Sequence, residues 1–228
     1  TNGIWNRICE RLKQAHSKTD DKKNDRRQIG ATFNYSEGQP FSGIINHLKS
    51  KSNNIENEIG FSASSCFSDG DNYNIKNITL FDDPNNGFAT NSQQSSWICI
   101  DFKEHRIIPT DYTIKIINSY FYGISYGIKS WVIETSNDNQ TWESIDEVNN
   151  NSHLKGNLSV YTFKIKKQPN KEVRYVRLRM TDKDWCDSYY LGINSFEIFG
   201  TISSIPKLSF NEHFYLEQII FTSSLISI

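Results

Sequence analysis

Short runs of alternating apolar and polar residues recur between residues 96 and 200 of this chain. In the run 97–102, Ile98, Ile100 and Phe102 alternate with more polar neighbours, and a period of two places them on one face of a strand. The run 175–180 alternates in the same way. Clusters of Asn, Asp, Ser and Gly separate the runs, and this spacing favours an all-β sandwich over a fold of alternating helices and strands.

Further runs of the same kind predict additional strands, at residues 59–64, 112–117, 160–165 and 192–200. The segment Ser136–Asn139 predicts a turn, because Asn and Asp bond their own backbone and tolerate left-handed dihedrals. Asn139 is expected at the left-handed position, where Asn is the best substitute for Gly.

Composition limits the number of domains and the classes of partner. A chain of 228 residues with 36% hydrophobic residues can bury one sizeable core. The formal net charge of -1 argues against a strongly basic nucleic-acid surface and against electrostatic membrane binding. The most apolar stretch, 214–228, is too short to span a membrane.

The order and content of the runs resemble the discoidin family, also called the coagulation factor 5/8 type C domain, within the galactose-binding-like jelly rolls. The resemblance covers about residues 41–200 and implies a discoidin-like jelly-roll β-sandwich. It is carried by Ser96–Phe102, Ser130–Trp142, Arg174–Arg179 and Phe196–Gly200.

Three segments are predicted from these patterns: residues 1–28, an amphipathic helix and charged linker; 29–201, the discoidin-like sandwich; and 202–228, an apolar C-terminal extension. Ile4, Ile8 and Leu12 form the helical stripe, which either packs on the sandwich or docks another domain. The extension likewise either packs on the sandwich or is covered by a partner.

The motif Gly43-Ile44-Ile45-Asn46-His47-Leu48 predicts one or two helical turns, with Ser42 as the N-cap. It resembles an intracellular subgroup of the family, in which the domain follows an adaptor region. This resemblance implies protein partners in a larger cytoplasmic assembly, cytoskeletal or ubiquitin-adaptor in nature.

The cysteines Cys9, Cys66, Cys99 and Cys186 lie far apart and have no metal-binding or redox spacing. None lies near Gly200, where secreted relatives often close a disulfide, so reduced intracellular cysteines are expected. The segment Thr1–Trp5 has no apolar signal-peptide core, although an extracellular location stays the alternative.

The resemblance also implies that ligand-binding side chains come from loops at one end of the sandwich. The segments 66–74, 118–128 and 181–190 match by position. Aromatic rings beside short polar groups suit sugar stacking or a protein contact, and the alternative is that the rings cap the core. The candidates are Phe67, Asp69, Tyr73, Tyr120, Phe121, Trp185 and Tyr189.

A structural calcium ion is a further implication, because many sugar-binding relatives hold one in an Asp-rich loop near the last strand. Hard oxygen ligands suit calcium. The matching residues are Asp82, Asp83, Asn86 and Glu197, and the alternative is a plain Asx-rich turn.

No sequence pattern points to catalysis, since the histidines are scattered and no nucleotide-binding or nucleophile motif is present. We therefore expect a non-enzymatic binding module. The sequence predicts a protein-interaction module, with a lectin-like module for galactose-type glycans or lipid headgroups as the alternative.

Overall fold

The computed structural model describes residues 28–68, 74–118 and 127–204. The described chain contains one regular helix, α1 (Ile44–Lys51), and short 3-10 turns at Ile55–Asn57 and Ile75–Thr79. The strands are β1 (Gln28–Phe33), β2 (Gly60–Ala63), β3 (Phe88–Ala89), β4 (Trp97–Asp101), β5 (His105–Ile116), β6 (Trp131–Ser136), β7 (Glu143–Val148), β8 (Val160–Lys164), β9 (Tyr175–Met180) and β10 (Gly192–Ser204).

The strands form two five-stranded sheets. One sheet has the order β2-β4-β9-β6-β7, and the other has the order β1-β10-β5-β8 with β3 paired to β10. The alternating residues Ile98, Ile100 and Leu178 are at most 1% exposed, as are Ile114 and Phe196 of the second sheet. The predicted β-sandwich is therefore confirmed.

Helix α1 begins differently from the sequence prediction. Its N-cap is Gly43, which makes no side-chain cap, while the Ser42 hydroxyl donates to the carbonyl of Gln39. The prediction of Ser42 as the N-cap is therefore wrong. Glu197 of β10 caps the helix instead, because its carboxylate accepts the backbone N–H groups of Ile45 (2.8 Å) and Asn46 (3.0 Å).

Close backbone approach explains the glycine at the start of this motif. A Cβ on Gly43 would lie 2.3 Å from the carbonyl oxygen of Ile198 and under 3.0 Å from the side chain of Glu197. Ile44, Ile45 and Leu48 are fully buried in the core. The motif is therefore required by the packing of α1 on β10, whatever the cellular location of the protein.

The predicted turn after β6 is confirmed. Asn139 has a φ of 59°, the left-handed conformation expected for it. The carboxylate of Asp138 accepts the backbone N–H groups of Gln140 (2.9 Å) and Thr141 (2.7 Å). These bonds hold the pKa of Asp138 well below its usual range.

Charged pairs line the outer face of the sheet that contains β4, β9 and β6. Glu134 accepts from Arg177 (2.8 Å) and Arg179 (2.6 Å). Asp101 accepts from Arg174 at 2.7 Å and 2.9 Å in a two-pronged contact. The arginines of β9 are therefore paired side chains rather than free solvent-facing residues.

Some segments named above lie outside the described residues: the predicted helix 4–12, most of the charged linker, and the extension from residue 205. The chain divides into a compact unit of residues 30–203 and a second unit of residues 1–29 and 204–228. In the described part of the chain, we find no helix with the length and apolar character needed to cross a membrane.

Candidate functional site

The strand directions bring several loops to the same end of the sandwich. β2 and β4 are antiparallel, as are β4 and β9, β9 and β6, and β6 and β7. Chain segments that leave β2, β7 and β9 therefore meet segments that enter β4 and β6. We call this surface the loop end, and define it by residues 64–68, 89–96, 127–130, 149–159 and 181–191.

Backbone hydrogen bonds join the segments of the loop end to one another. The N–H of Phe67 donates to the carbonyl of Ala89 (2.9 Å), and that of Thr90 donates to the carbonyl of Leu191 (3.1 Å). Thr181 is joined to Ser130 in the same way (3.1 Å). The loops are thus positioned by the scaffold as well as by their own turns.

One part of the loop end presents exposed aromatic rings. Phe67 is 47% exposed, the largest exposed fraction among the large hydrophobic side chains of the described residues. Its ring meets that of Tyr190 edge to face, with centroids 5.7 Å apart. Gln94 donates to the hydroxyl of Tyr189 at 3.4 Å, and the N–H of Tyr189 donates to Ser92 Oγ at 3.0 Å. We call Phe67, Tyr189, Tyr190 and Gln94 the aromatic edge.

A second part of the loop end is centred on Trp185. The ammonium groups of Lys155 and Lys129 lie 4.5 Å and 5.6 Å from the centroid of its ring. The indole Nε1–H donates to the carbonyl of Asn151 at 3.2 Å. We call Lys129, Lys155 and Trp185 the lysine–tryptophan cluster.

Asp184 organises the loop that carries both parts. Its side chain is buried, and Oδ1 accepts the N–H groups of Cys186 (2.8 Å) and Ser188 (3.0 Å). Oδ2 accepts the hydroxyl of Ser188 at 2.5 Å. This carboxylate holds a tight turn between Trp185 and Tyr189, so its role is to position the loop.

Three sequence-predicted ligand residues, Phe67, Trp185 and Tyr189, lie at the loop end. The other candidates, Asp69, Tyr73, Tyr120 and Phe121, lie outside the described residues. Sequence reasoning did not select Gln94, Lys129, Lys155 or Tyr190. Segment 149–159 was missed because β7, which leads into it, was not predicted, although its cluster of Asn, Ser and Gly is a loop signal.

The residues proposed for calcium have other partners in this structure. Asp83 accepts the N–H of Asn85 (2.9 Å) and the side-chain amide of Asn86. The side-chain amide nitrogen of Asn194 donates to the carbonyl oxygens of Asp83 (2.8 Å) and Asn86. An internal donor therefore lies where a cation would bind these carbonyls.

A second internal donor, the ammonium group of Lys115, reaches the same loop. Lys115 Nζ donates to the carbonyl of Phe81 at 3.4 Å. Burial lowers the pKa of Lys115, while the carboxylates of Asp82 and Asp83 act in the opposite direction. These contacts fit an Asx-rich turn closed by side chains of the protein better than a shared ion, and the calcium site stays a prediction.

Glu197, the fourth residue of the calcium set, is used by helix α1. Burial raises the pKa of Glu197 to about 7, although the backbone N–H groups of Ile198, Ile45, Asn46 and Gly43 act to lower it. Both carboxylate oxygens are occupied by these donors. Among residues 28–68, 74–118 and 127–204, we find no group of three or more His, Cys, Asp or Glu placed to hold a metal ion.

The histidines within the described ranges lie in separate structural settings. His105 pairs with Glu58 at 3.0 Å, His47 packs on Phe33, and His153 stacks on Tyr161. No disulfide joins Cys66, Cys99 and Cys186 to one another. Cys99 is buried, which raises the pKa of its thiol to about 12 and makes it a poor nucleophile.

Comparisons with known proteins agree with this architecture. The family model described as the F5/8 type C domain matches residues 60–191, more than half of the chain. A solved structure of CpGH89CBM32-5 from Clostridium perfringens, in complex with GalNAc-beta-1,3-galactose, has 13% sequence identity and a TM-score of 0.50. That similarity covers 64% of this chain and 97% of the other.

Two further solved structures are similar at lower scores. An f-lectin from the serum of Morone saxatilis (striped bass) has 14% identity and a TM-score of 0.49, covering 63% of this chain and 47% of the other. The family 32 module of NanJ from C. perfringens, in complex with galactose, has 12% identity and a TM-score of 0.46, covering 63% and 95%.

Proposed function

Because the chain belongs to the F5/8 type C domain family, we propose that it is a non-enzymatic module that binds carbohydrate through its loop end. The observation that carries this proposal is the aromatic edge. Phe67 offers an exposed ring, and the adjacent Tyr189 hydroxyl and Gln94 amide offer polar atoms that can bond sugar hydroxyls. Rigid rings beside such groups bring contact area at low entropic cost.

The scaffold supports the same proposal. The aromatic edge is built on segments that are hydrogen-bonded to one another, so that little ordering is needed when a ligand binds. The fold is shared with a module solved with GalNAc-beta-1,3-galactose, and this disaccharide is therefore the first probe to use.

The protein-interaction function expected from the sequence has weaker support. It depended on the missing terminal disulfide, on the motif from Gly43 to Leu48 and on the two apolar flanks. Gly43 is explained by its contact with Glu197 and Ile198, and the flanks lie almost wholly outside the described residues. The glycan-binding alternative is therefore the function we propose.

A glycan array followed by calorimetry with GalNAc-beta-1,3-galactose tests the proposal. Phe67→Ala should weaken sugar binding by about tenfold, equal to about 1.4 kcal/mol. Tyr35→Ala is the matched control, because Tyr35 is an exposed ring that packs on Phe199 and is not part of the loop end. Absence of any glycan binding, or an equal effect of both variants, would contradict the proposal.

A further inference from the structure

Three separate parts of the chain converge in the lysine–tryptophan cluster. Lys129 immediately precedes Ser130 and β6, Lys155 lies in segment 149–159, and Trp185 lies in segment 181–191. Both ammonium groups lie within cation–π distance of the same ring, at 5.6 Å and 4.5 Å from its centroid. Two like charges are therefore gathered at one place on the loop end.

The cluster is held by backbone contacts. The N–H of Asn151 donates to the carbonyl of Lys129 (2.8 Å), and the N–H of Trp185 donates to the carbonyl of Gly127 (3.2 Å). A Cβ on Gly127 would lie 1.8 Å from the carbonyl oxygen of Leu154, so this glycine allows the two segments to touch. Both lysine stems and the indole ring are thus attached to a preorganised surface.

Among the ion pairs of the described residues, none joins a carboxylate to Lys129 or Lys155. The nearest carboxylate in sequence to Trp185, that of Asp184, is 1% exposed and is occupied by Cys186 and Ser188. Lys155 is exposed and Lys129 is half-buried. Neither ammonium group is therefore in an ion pair with a carboxylate of the described residues.

We infer that the lysine–tryptophan cluster is a subsite for the carboxylate or sulfate group of an acidic sugar. This inference rests on the proposed carbohydrate function. With ammonium groups over its ring, Trp185 is poorly placed to stack on a neutral sugar, because the sugar would have to displace them. An anionic substituent instead accepts charge-assisted hydrogen bonds from both lysines, which are stronger than neutral ones.

The subsite is distinct from the aromatic edge but lies on the same loop. The turn held by Asp184 places Trp185 on one side and Tyr189 and Tyr190 on the other. In the inferred complex, a neutral sugar residue contacts the aromatic edge and an acidic sugar residue contacts the lysine–tryptophan cluster. The lysines add affinity for the acidic residue, and this added affinity falls with salt because exposed charges are screened.

Matched sugars test the inference directly. Lactose, its sulfated form and its sialylated form are titrated at low and high salt. The acidic forms should bind at least about tenfold more tightly than lactose at low salt, and Lys129→Gln and Lys155→Gln should each remove most of this preference. The preference is measured in each variant as the ratio of its affinity for the acidic form to its affinity for lactose, and thermal unfolding should show that both variants fold normally.

The control is Lys171→Gln, an exposed lysine in the connection from β8 to β9 at the opposite end of the sandwich. Lactose binding without any preference for the acidic forms would overturn the inference and leave the proposed function intact. Binding of no sugar at all would overturn both. A preference that survives in both lysine variants, or capture of phosphatidylserine vesicles in place of sugars, would also overturn the acidic-sugar subsite.

Discussion

A single buried carboxyl, that of Glu197, replaces the usual N-terminal capping side chain of helix α1. It is 0% exposed, comes from β10, and accepts backbone N–H groups from the first turn of the helix. A carboxylate at a helix N-terminus is stabilised by the free N–H groups and the helix dipole, whereas burial disfavours its charge. The balance between these effects sets how the stability of the domain depends on pH.

The first prediction concerns the proton on Glu197. Its pKa in the folded chain is raised from an ordinary value of 4.5 to about 7. The folded state then holds this proton more tightly than the unfolded state, so its contribution is complete below pH 4.5 and is lost as the pH rises to about 7. Chemical denaturation should show that the free energy of unfolding of wild type falls by on the order of 2 kcal/mol relative to that of Glu197→Gln over this interval.

The comparison with Glu197→Gln separates this effect from other titrations, because Gln cannot ionise. The packing cost of the variant does not depend on pH. The ionisation of Glu197 therefore appears only in how the difference in free energy of unfolding between wild type and variant changes with pH. A difference that stays constant from acid to neutral pH would mean that the pKa of Glu197 is the same in the folded and the unfolded chain.

At the scale of elements, the loop before β3 shows how a protein donor can take the place of an ion. Asn194 of β10 donates its amide to the carbonyls of Asp83 and Asn86, and Lys115 of β5 donates to the carbonyl of Phe81. Carbonyl oxygens that converge without a donor repel one another and are costly when buried. These side chains supply the donors that the loop needs.

The second prediction follows from these donors. The thermal unfolding midpoint of wild type should be unchanged by millimolar calcium or by EDTA. Asn194→Asp removes the amide donor and places a carboxylate against two carbonyl oxygens. It should lower the free energy of unfolding by about 1–3 kcal/mol, and calcium should restore part of this loss. Asn85→Asp, which adds the same charge at an exposed position of the same loop, is the control. A wild-type midpoint raised by calcium would instead support the ion predicted from the sequence.

The elements also show which parts of the fold the sequence could predict. β4 and β9 were found because their alternation reflects one buried face, and that information is local. β7 was missed because its sequence, Glu143–Val148, begins with two exposed residues and has no clean period of two. β1 was missed because it follows the charged linker without a strong turn signal.

Contacts between residues far apart in sequence could not be predicted at all. Ser42 has the right residue type for an N-cap, yet the helix is capped from 152 positions away in sequence by Glu197. The three candidate loops were placed at one end by the family resemblance, and the described parts of these loops do lie there. The convergence of Lys129 and Lys155 on Trp185 depends on three loops and has no local signal.

At the scale of the whole molecule, two sets of ionisable groups act on stability in opposite directions. On the outer face of one sheet, burial opposes ionisation of Asp101 and Glu134, but the adjacent arginines prevail and hold the pKa of both carboxyls below the usual range. In the core, the pKa of Glu197 is raised. The sheet surface and the core therefore respond to pH with opposite signs.

The last prediction is the shape of the stability profile that results. The ion pairs of Asp101 and Glu134 contribute above their ordinary pKa values of 3.8 and 4.5, and this contribution is lost as the pH falls through their lowered values. Glu197 acts from the other side, so the free energy of unfolding should be highest near its ordinary value of 4.5 and fall both in stronger acid and towards pH 7. Denaturant titrations across this range measure the profile. Asp101→Asn with Glu134→Gln should make only the acid side less steep, leaving the part that comes from Asp138, and Glu197→Gln should flatten only the neutral side. If one substitution set flattened both sides, the sheet surface and the core would not be titrating as separate groups.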